Sequence, residues 1–579
     1  MATVEKALKL ALEHRDAGRL ADAMAVLTEV LHLAPPGHPQ VAEARRALSR
    51  ILVGRAAPLA DEGRAVEALP LYQQSVAVLR DGGLPPEPEL WNGLGACLLQ
   101  ARRADEAADA FRGAITADPR YAEAYSNLGN ALKALKQLDA AVATYRKALQ
   151  LYPNAAEIHT NLGTALAELK RPAEALAAYE EAVRLSPGFV GGWLNVGMGR
   201  RAMGDLDGAV TAYHRALALD PAFFRAWTAL GVSLYDLGRF DEAIAAAEKS
   251  LALKPDGVEA NWNLALAQLL LGRFQEGWPR YEWRRHSRTT PLRTFDRPDW
   301  NGQPFPGRTL LVHVEQGLGD VLMAARYLPL AAALGGKVVM EAPPELASLL
   351  ASLTRTGNIE LAPTGRALPP FDLQCPIMSL PGLFRAGLAP IPADVPYLAV
   401  DEARRDRWRG RLAGTTSGAL KVGLVWAGNP GFTGDRWRSP RLPAFAPVLA
   451  VPGVHFFGLQ MGDGRRDLDG TRLPDAFTDL GAEIGDMADT AAILGELDLL
   501  ISSCTAPVHL AGALGRPVWV VLPRAPDWRW GLDRPDSAWY PTARLYRQPV
   551  RGDWATVMND VAENLSCHVK EMARDGVYF

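Results

Sequence analysis

The sequence predicts an all-α superhelix of paired helices, followed by an α/β module built around two parallel sheets. Prolines and glycines recur every 34 residues through the first half, and apolar strand-like runs alternate with helical stretches in the second. The fixed period is typical of stacked helical hairpins, and the alternation is typical of parallel sheets. The predicted boundaries are a helical array over 1–287, a connector over 288–308, a first lobe over 309–400, and a second lobe over 415–579 that ends in a helix.

Composition places the chain among ordinary globular proteins. Of its 579 residues, 48% are hydrophobic and 22% are charged, and the formal net charge is −3. No bulk charge draws such a protein to nucleic acid. The four cysteines are too few and too scattered for a disulfide framework or a zinc cluster. We therefore expect a reduced, cytoplasmic protein with no signal peptide, no membrane span and no metal site.

The helical period is carried by three kinds of residue. The recurring positions are Pro119, Pro153, Pro187, Pro221 and Pro255; Gly95, Gly129, Gly163, Gly197 and Gly231; and the aromatics Phe111, Tyr145, Tyr179 and Tyr213. Each unit reads as two amphipathic helices with a short turn, and a proline stops the second helix. The pattern resembles the tetratricopeptide repeat (TPR), and we count about eight repeats. A glycine at this position lets the two helices approach closely.

One polar position also recurs in the repeats. Asn127, Asn161, Asn195 and Asn263 stand before Leu-Gly or its variant, whereas Ala229 interrupts the run. An amide side chain offers both donors and acceptors, so a row of them can hold a peptide backbone without reading its sequence. Packing within each repeat is the alternative. The arrangement resembles the asparagine ladder of the O-linked N-acetylglucosamine transferases.

The connector is rich in arginine. Its basic residues and those just before it are Arg280, Arg284, Arg285, Arg288, Arg293 and Arg297. We interpret this stretch as a solvated or domain-facing linker, and a role in steering phosphates is the alternative.

The first motif of the second half is Glu315-Gln-Gly-Leu-Gly-Asp320, between a predicted strand (309–314) and a predicted helix (321–333). Gly317 and Gly319 permit a tight turn and a close approach of ligand to backbone. Asp320 is either an N-cap of the helix or a chemically active carboxylate. The motif is too short for a dinucleotide fingerprint, which disfavours an NAD enzyme.

Two further motifs follow predicted strands. In the first, residues 501–504 lead into a helix that starts near Pro507, so the N–H groups of Thr505 and Ala506 form a natural pyrophosphate cradle with His509 in the first turn. Ordinary helix punctuation and a structural histidine are the alternatives. In the second, Arg436 and Arg438 follow the strand 422–426, where they could neutralise a leaving diphosphate or form a plain surface pair.

Together these stretches resemble bacterial TPR glycosyltransferases and, more distantly, heptosyltransferases of the GT-B fold and the O-linked N-acetylglucosamine transferases. The resemblance covers essentially the whole chain. It includes the Trp278 to Arg284 junction, the Val-Trp-Ala-Gly-Asn stretch ending at Asn429, and Asp527-Trp-Arg-Trp. It implies a TPR superhelix followed by a GT-B glycosyltransferase module of two Rossmann-like lobes. Such enzymes need no metal and no cofactor beyond a nucleotide-sugar donor.

The resemblance also implies roles for individual residues. Asp320 matches the general base proposed for heptosyltransferases. The implied donor-binding residues are Gly317, Gly319, Asn429, Arg436, Arg438, Cys504, Thr505, Ala506 and His509, and the implied acceptor-binding residues are Asn127, Asn161, Asn195 and Asn263. Two residues depart from the family pattern. Cys504 stands where related sequences usually carry an aspartate, and Gly434 replaces a frequent asparagine.

The expected function is therefore protein O-glycosylation on Ser or Thr, with a polypeptide acceptor in the TPR groove and a nucleotide-sugar as donor. Resemblance to flagellin-modifying transferases makes flagellin the candidate acceptor. Two alternatives remain. The chain is a binding scaffold whose transferase part has lost activity, as Cys504 suggests, or it glycosylates a glycan or lipid while the repeats dock partners.

Overall fold

A computed structural model describes residues 2–35, 38–287, 293–413, 418–432 and 434–574. These residues form two compact units, Met1–Ala229 and Leu230–Phe579. The first unit is helical. The second contains the last helices of the array together with both parallel sheets. The repeats thus continue past the point where the chain divides into units.

Within the described residues, sixteen helices form eight hairpins in the helical array. They are α1 (Ala2–Asp16), α2 (Leu20–Leu33), α3 (Pro39–Asp61), α4 (Ala65–Arg80), α5 (Pro88–Gln100), α6 (Ala104–Ala117), α7 (Ala122–Ala134), α8 (Leu138–Leu151), α9 (Ala156–Glu168), α10 (Pro172–Leu185), α11 (Val190–Met203), α12 (Leu206–Leu219), α13 (Phe224–Asp236), α14 (Phe240–Leu253), α15 (Val258–Leu270) and α16 (Phe274–Tyr281). A 3-10 segment, Glu282–His286, follows α16.

The recurring glycine and aromatic residue contact each other inside a hairpin. A Cβ built on Gly129 would lie 2.5 Å from the Tyr145 ring, and one on Gly197 would lie 2.3 Å from the Tyr213 ring. The same contact recurs between Gly95 and Phe111 and between Gly163 and Tyr179. Only glycine allows the ring to lie flat against the facing helix, which confirms the predicted reason for the glycine.

The recurring proline has a second use. The side chain six residues later bonds to its carbonyl oxygen in five successive repeats. The pairs are Tyr125 with Pro119 (3.3 Å), His159 with Pro153 (2.9 Å), Trp193 with Pro187 (2.9 Å), Trp227 with Pro221 (2.9 Å) and Asn261 with Pro255 (3.1 Å). Each bond ties the turn after one hairpin to the first helix of the next. Four residue types serve one purpose, so periodicity of residue identity does not reveal it.

The second half contains short helices around two parallel sheets. The strands are β1 (Thr309–His313), β2 (Lys337–Ala342), β3 (Ile359–Pro363), β4 (Leu373–Pro376), β5 (Leu420–Val425), β6 (Val454–Gly458), β7 (Phe477–Asp479), β8 (Leu499–Ser503), β9 (Val518–Leu522) and β10 (Ala543–Arg547). The helices are α17 (Leu318–Ala324), α18 (Leu328–Ala332), α19 (Ala347–Leu350), α20 (Leu380–Leu383), α21 (Glu402–Leu412), α22 (Asp435–Arg438), α23 (Ala446–Leu449), α24 (Met487–Glu496), α25 (Ala506–Ala513) and α26 (Trp554–Arg574).

The first sheet has the strand order β3-β2-β1-β4, and the second has β10-β9-β8-β5-β6-β7. All pairings are parallel, with Val312 opposite Met340 in the first sheet and Val425 opposite Ser502 in the second. The central strands are almost entirely buried, as expected for parallel sheets covered on both faces. Eight of the ten strands fall on the apolar strand-like runs of the second half, and β7 and β10 were not predicted.

Three boundaries differ from the expectation. The predicted helix over 321–333 begins earlier, at Leu318, and is divided into α17 and α18 by a 3-10 turn before Pro329. The connector residues 293–308 pack on the first sheet, where Trp300 and Phe305 are buried and Trp300 donates its backbone N–H to Gln374. The helix α21, which lies between the predicted lobes, packs against α24 of the second sheet. Residues 1, 36–37, 288–292, 415–417, 433 and 575–579 of the predicted domains lie outside the described residues.

Among the described helices, none combines the length and the apolar character needed to cross a bilayer.

We expect Gly197→Ala to destabilise the array. Its new methyl group would meet the Tyr213 ring at 2.3 Å, and overpacking of this kind costs about 1–3 kcal/mol. The gain of helix propensity from glycine to alanine, about 1 kcal/mol, opposes this cost. Unfolding followed by far-UV circular dichroism should show a lower midpoint for the variant. Gly188→Ala is the control, because a Cβ there meets no atom within 4 Å. Equal midpoints for both variants would contradict the close-approach role.

Candidate functional site

The loop between β1 and α17 holds Asp320 at the third position of the helix. The N-cap of α17 is Gly317, so the interpretation of Asp320 as an N-cap is wrong. Instead, the Asp320 Oδ2 atom accepts the backbone N–H of Gly317 at 2.8 Å. The carboxylate therefore reaches back from inside the first turn to close the loop. It does so with one oxygen, which leaves the other for a second partner.

That partner is Arg529, whose Nη2 atom forms a buried ion pair with Asp320 Oδ1. Arg529 also bonds to Asp527 Oδ1 at 2.7 Å and lies against the Trp528 ring. Burial raises the pKa of Asp320, while the charge of Arg529 and the N–H of Gly317 oppose that rise. The sequence analysis quoted Asp527-Trp-Arg-Trp only as part of a resemblance. An arginine between two buried tryptophans was a signal that it serves a buried acid.

The second motif forms the turn between β8 and α25. Thr505 is the N-cap of α25 and Ala506 begins the helix, so the first backbone N–H groups of α25 have no acceptor within the helix. The Thr505 hydroxyl is engaged locally and donates to the carbonyl of Ser503 at 3.1 Å. Any ligand contact from Thr505 would therefore come from its backbone.

His509 is buried in the first turn of α25. Its Nδ1 atom is 2.9 Å from the hydroxyl of Tyr540, and its ring stacks on Trp530 with centroids 5.5 Å apart. Burial, together with the nearby charges of Arg529, Arg326 and Arg438, holds the pKa of His509 well below its usual value. The imidazole is therefore neutral near pH 7.

The two motifs meet at one point. A Cβ on Gly319 would lie 2.8 Å from His509 Cδ2 and 3.4 Å from Ala506 Cα. Gly319 thus allows α17, which follows β1 of the first sheet, to touch the beginning of α25, which follows β8 of the second sheet. Asp320 is the next residue in the chain. The contact brings the predicted base and the predicted donor-binding histidine to the same place.

Cys504 has a definite structural role at this site. Its Sγ atom accepts the indole N–H of Trp530 at 2.9 Å, and Trp530 is the ring on which His509 stacks. Burial raises the pKa of the Cys504 thiol to about 11. Cys504 is therefore a neutral acceptor near pH 7, where an aspartate would introduce a buried charge.

The third motif follows β5, the strand next to β8. Asn429 is exposed, and its Oδ1 atom accepts the N–H of Gly431 at 2.8 Å, which is a turn-forming contact. Arg438 is held by Asp435, 3.2 Å from its Nε atom, and lies over the Phe432 ring. The charge of Arg438 lowers the pKa of His509, so Arg438 faces the same site. Arg436 instead lies over the ring of Trp437, its neighbour.

Asp435 is the residue that organises this loop, and the sequence analysis missed it. It is buried and bonds to both Arg438 and the Ser439 hydroxyl (2.9 Å), while that hydroxyl accepts the N–H of Gly428. An aspartate one and three residues before two arginines, in Gly434-Asp-Arg-Trp-Arg, was the signal for this contact. Gly434 itself is the N-cap of α22.

The asparagine row is partly engaged. Asn127 donates to Oδ1 of Asn92 at 3.0 Å, and Asn92 in turn donates to Glu123 at 2.9 Å. Asn161, Asn195 and Asn263 are half-buried, and their side chains make no hydrogen bond to another described residue. The bond from Asn127 therefore joins neighbouring repeats, and among the described residues no such bond engages Asn161, Asn195 or Asn263. Asn92 was missed because it precedes Gly-Leu-Gly and stands one residue out of register with the 34-residue period.

The connector arginines bond to protein groups. Arg284 pairs with Glu315, Arg285 with Asp299, and Arg293 with Glu341, while Arg280 donates to Asn261 (2.8 Å) and Arg297 to the carbonyl of Phe371 (3.1 Å). Arg288 lies outside the described residues. These contacts favour a domain-facing connector over phosphate steering.

Asp467, in the stretch Asp467-Leu-Asp469, accepts the N–H of Leu442 at 3.0 Å and pairs with Arg441. It shapes a loop. Among the described residues, no group of three or more His, Cys, Asp or Glu side chains is placed to hold a metal.

Comparison with known proteins agrees with the helical hairpins. The family described as tetratricopeptide repeat matches residues 59–122, 126–188, 197–257 and 228–277. The helical array consists of tetratricopeptide repeats. Protein FlbA of Caulobacter vibrioides is 31% identical over 320 residues, which are 50% of this chain and 52% of FlbA. The chain thus spans about half the length of this curated relative.

Solved TPR structures are also similar to parts of the chain. The crystal structure of MamA is 25% identical and covers 28% of this chain and 95% of MamA, with a TM-score of 0.27. The crystal structure of YrrB, described as a TPR protein with an unusual peptide-binding site, is 21% identical and covers 33% of this chain and 95% of YrrB, with a TM-score of 0.28.

We expect the neutral, buried His509 to make stability depend on pH. In the unfolded chain its pKa returns to about 6.5, so the unfolded state binds more protons below that pH. Its stabilising contribution is present above about pH 6.5 and is lost as the pH falls toward 5, by up to about 2 kcal/mol. Urea unfolding at pH 7 and pH 5 should show a smaller loss of stability for His509→Gln than for the wild type. His32→Gln, at an exposed site of α2, is the control. If the stability of His509→Gln depended on pH as that of the wild type does, His509 would not be a buried, neutral histidine.

Proposed function

We propose that the chain is a protein O-glycosyltransferase that moves a sugar from a nucleotide-sugar to Ser or Thr side chains of a polypeptide. The observation that carries the proposal is the contact between Gly319 and His509, which brings the carboxyl edges of two parallel sheets together beside Asp320. Ligands of open α/β sheets bind outside the carboxyl ends of the strands. Two such edges that face each other offer one side to the donor and the other to the acceptor, as in a GT-B enzyme.

Asp320 is the proposed general base. It would take the proton of the acceptor hydroxyl as that oxygen attacks the anomeric carbon and the nucleoside diphosphate leaves. Its side chain is 19% exposed, and both of its carboxylate oxygens are bonded, to the Gly317 N–H and to Arg529, so an acceptor hydroxyl would have to share one of them. Arg529 holds the carboxylate in place, and its positive charge favours the ionised form against the burial that raises the pKa of Asp320. The other groups at the contact, His509 and Cys504, carry no charge that would repel a substrate.

The donor would bind at the second sheet. The N–H groups at the beginning of α25 and the guanidinium of Arg438 both suit a diphosphate, the first through the helix end and the second through its charge. Arg438 is 27% exposed and is already oriented by Asp435. A diphosphate at this position would therefore meet a guanidinium that is already held in place.

The acceptor would be a polypeptide held by the repeats. The unpaired amides of Asn161, Asn195 and Asn263 can each exchange hydrogen bonds with a peptide group. This contact reads the backbone, so it suits an acceptor recognised by its extended conformation. Flagellin is the first candidate because of the resemblance to flagellin-modifying transferases.

A second candidate function is a TPR scaffold with an inactive transferase part. The observation that favours it is the bond from Trp530 to Cys504, which occupies the place of a charged residue in related sequences with a neutral thiol. A scaffold would bind the polypeptide and transfer nothing. The two functions therefore differ in whether the acceptor gains mass.

We expect flagellin incubated with the protein and a panel of UDP-, GDP- and CMP-activated sugars to gain the mass of one or more sugars. Intact-mass spectrometry measures this directly. Asp320→Asn should reduce the rate by about 10²–10⁴-fold, because an amide cannot accept the proton. The matched control is Asp553→Asn, which changes a capping carboxylate of α26 that accepts the N–H of Thr556 at 3.0 Å. Binding of flagellin without any gain of mass would favour the scaffold.

We expect the double substitution Asn161→Ala and Asn195→Ala to weaken flagellin binding. Each lost hydrogen bond to the acceptor backbone is worth about 0.5–1.5 kcal/mol, so together they predict a loss of affinity of roughly 5- to 150-fold. Isothermal titration calorimetry would measure this. Asn154→Ala, in an exposed turn of the same repeats, should bind like the wild type. An unchanged affinity in the folded double variant would return both residues to a packing role.

A further inference from the structure

The last helical hairpin supplies a buried arginine to the loop that carries Asp320. Arg284, in the 3-10 segment after α16, contacts Glu315 at the beginning of that loop. Its Nε atom is 2.9 Å from Glu315 Oε2, and its Nη2 atom is 2.6 Å from Oε1. The Glu315 carboxylate also accepts the N–H of Met378 at 3.0 Å. Both side chains are almost fully buried, with 4% and 1% exposed.

A second residue of the same hairpin reaches the next position of the loop. The hydroxyl of Tyr281 accepts the side-chain N–H of Gln316 at 3.3 Å. Gln316 has φ = 61°, a left-handed conformation that a non-glycine residue adopts only when its surroundings hold it there. The loop between β1 and α17 therefore depends on contacts from outside the sheet to keep its shape.

The hairpin also contacts the other side of the Asp320 ion pair. The rings of Trp278 and Tyr281 lie edge-on to Trp528, with centroids 5.2 and 5.9 Å apart. Trp528 precedes Arg529 in the chain. One short segment thus touches both the loop that bears the acid and the residue next to the arginine that pairs with it.

Stability alone is a poor explanation for the pair of Arg284 and Glu315. Removing two charges from water costs about as much as their attraction returns, so a buried ion pair contributes little net stability compared with apolar residues of the same shape. What a bidentate guanidinium adds is geometry, because its two parallel hydrogen bonds allow a single orientation of the carboxylate. The pair is therefore suited to fixing the direction in which the loop leaves β1.

We propose that Arg284 is a positioning residue for Asp320, and that it acts through Glu315 by setting the Glu315–Gly319 loop. Asp320 can then meet the Gly317 N–H and Arg529 at once. This inference rests on the proposed function for its kinetic consequence. Its structural consequence, the fixed loop, can be measured without any transfer.

The structural test is hydrogen–deuterium exchange of the full chain, followed by mass spectrometry of the peptide that contains Gly317–Val321. The Gly317 amide is bonded to Asp320, so its protection reports that contact directly. Arg284→Lys keeps the charge but loses the fork, and we expect the amides of this loop to exchange at least tenfold faster. Arg285→Lys is the matched control. Arg285 makes an equivalent two-pronged contact with Asp299 (2.8 and 2.8 Å) that does not touch the loop.

The kinetic test uses the same variants in the flagellin transfer assay. A displaced base costs rate, so kcat of Arg284→Lys should fall by about 10²-fold while its KM for the nucleotide-sugar stays within threefold of the wild type. Arg285→Lys should keep the wild-type kcat. A residue that only supported the fold would lower the melting temperature and leave the kcat of the folded enzyme unchanged.

Glu315→Gln is the second variant, for use if Arg284→Lys does not fold. It keeps the shape and one acceptor oxygen for the Met378 N–H, but it replaces the other oxygen by an NH2 group that cannot accept from Arg284, so the two-pronged contact is lost. Unchanged exchange of Gly317–Val321 in the folded variants, or equal effects of Arg284→Lys and Arg285→Lys, would overturn the inference. If the loop exchanges faster in Arg284→Lys but the wild type shows no transfer activity, the result supports the positioning role of Arg284 and counts against the proposed function.

Discussion

The buried ion pair between Asp320 and Arg529 joins segments that are 209 residues apart in the chain and that follow different sheets. Such a pair persists only if each charge has further partners, since water no longer solvates either one. Asp320 has the N–H of Gly317, and Arg529 has Asp527. The start of α17, the Trp528–Trp530 segment and the ring of His509 are all arranged around this pair. The geometry of the candidate site follows from it.

Two titratable groups close to the pair, His509 and Cys504, carry no charge near pH 7. The pKa of His509 is lowered and that of Cys504 is raised, both by burial, so both groups are neutral near pH 7. A neutral imidazole beside three arginines costs less than a charged one, and a thiol accepts an indole N–H without demanding a counterion. For the proposed reaction this leaves Asp320 as the carboxylate at the contact between the two sheets.

The repeats are regular for a reason that lies in the backbone. The proline carbonyl at the end of each hairpin needs a donor, and a phenol, an imidazole, an indole or an amide supplies it in different repeats. The glycine under each aromatic ring admits no substitute of this kind, because any Cβ would enter the ring. The residue type is therefore fixed at the glycine position, where there is no room for a side chain. It varies at the position that only has to donate a hydrogen bond.

The hairpins and eight of the ten described strands could be predicted from the sequence, because each depends on a local pattern of apolar, glycine and proline residues. The strands β7 and β10 could not, since β7 has only three residues and β10 carries two arginines in five positions, so neither forms an apolar run. The sequence also singled out Asp320, His509 and Arg438 by their places after strands. The partners of Asp320 and Glu315 were decided only by tertiary structure. Arg529 and Arg284 reach them through the packing of separate elements, and no local period encodes such a contact.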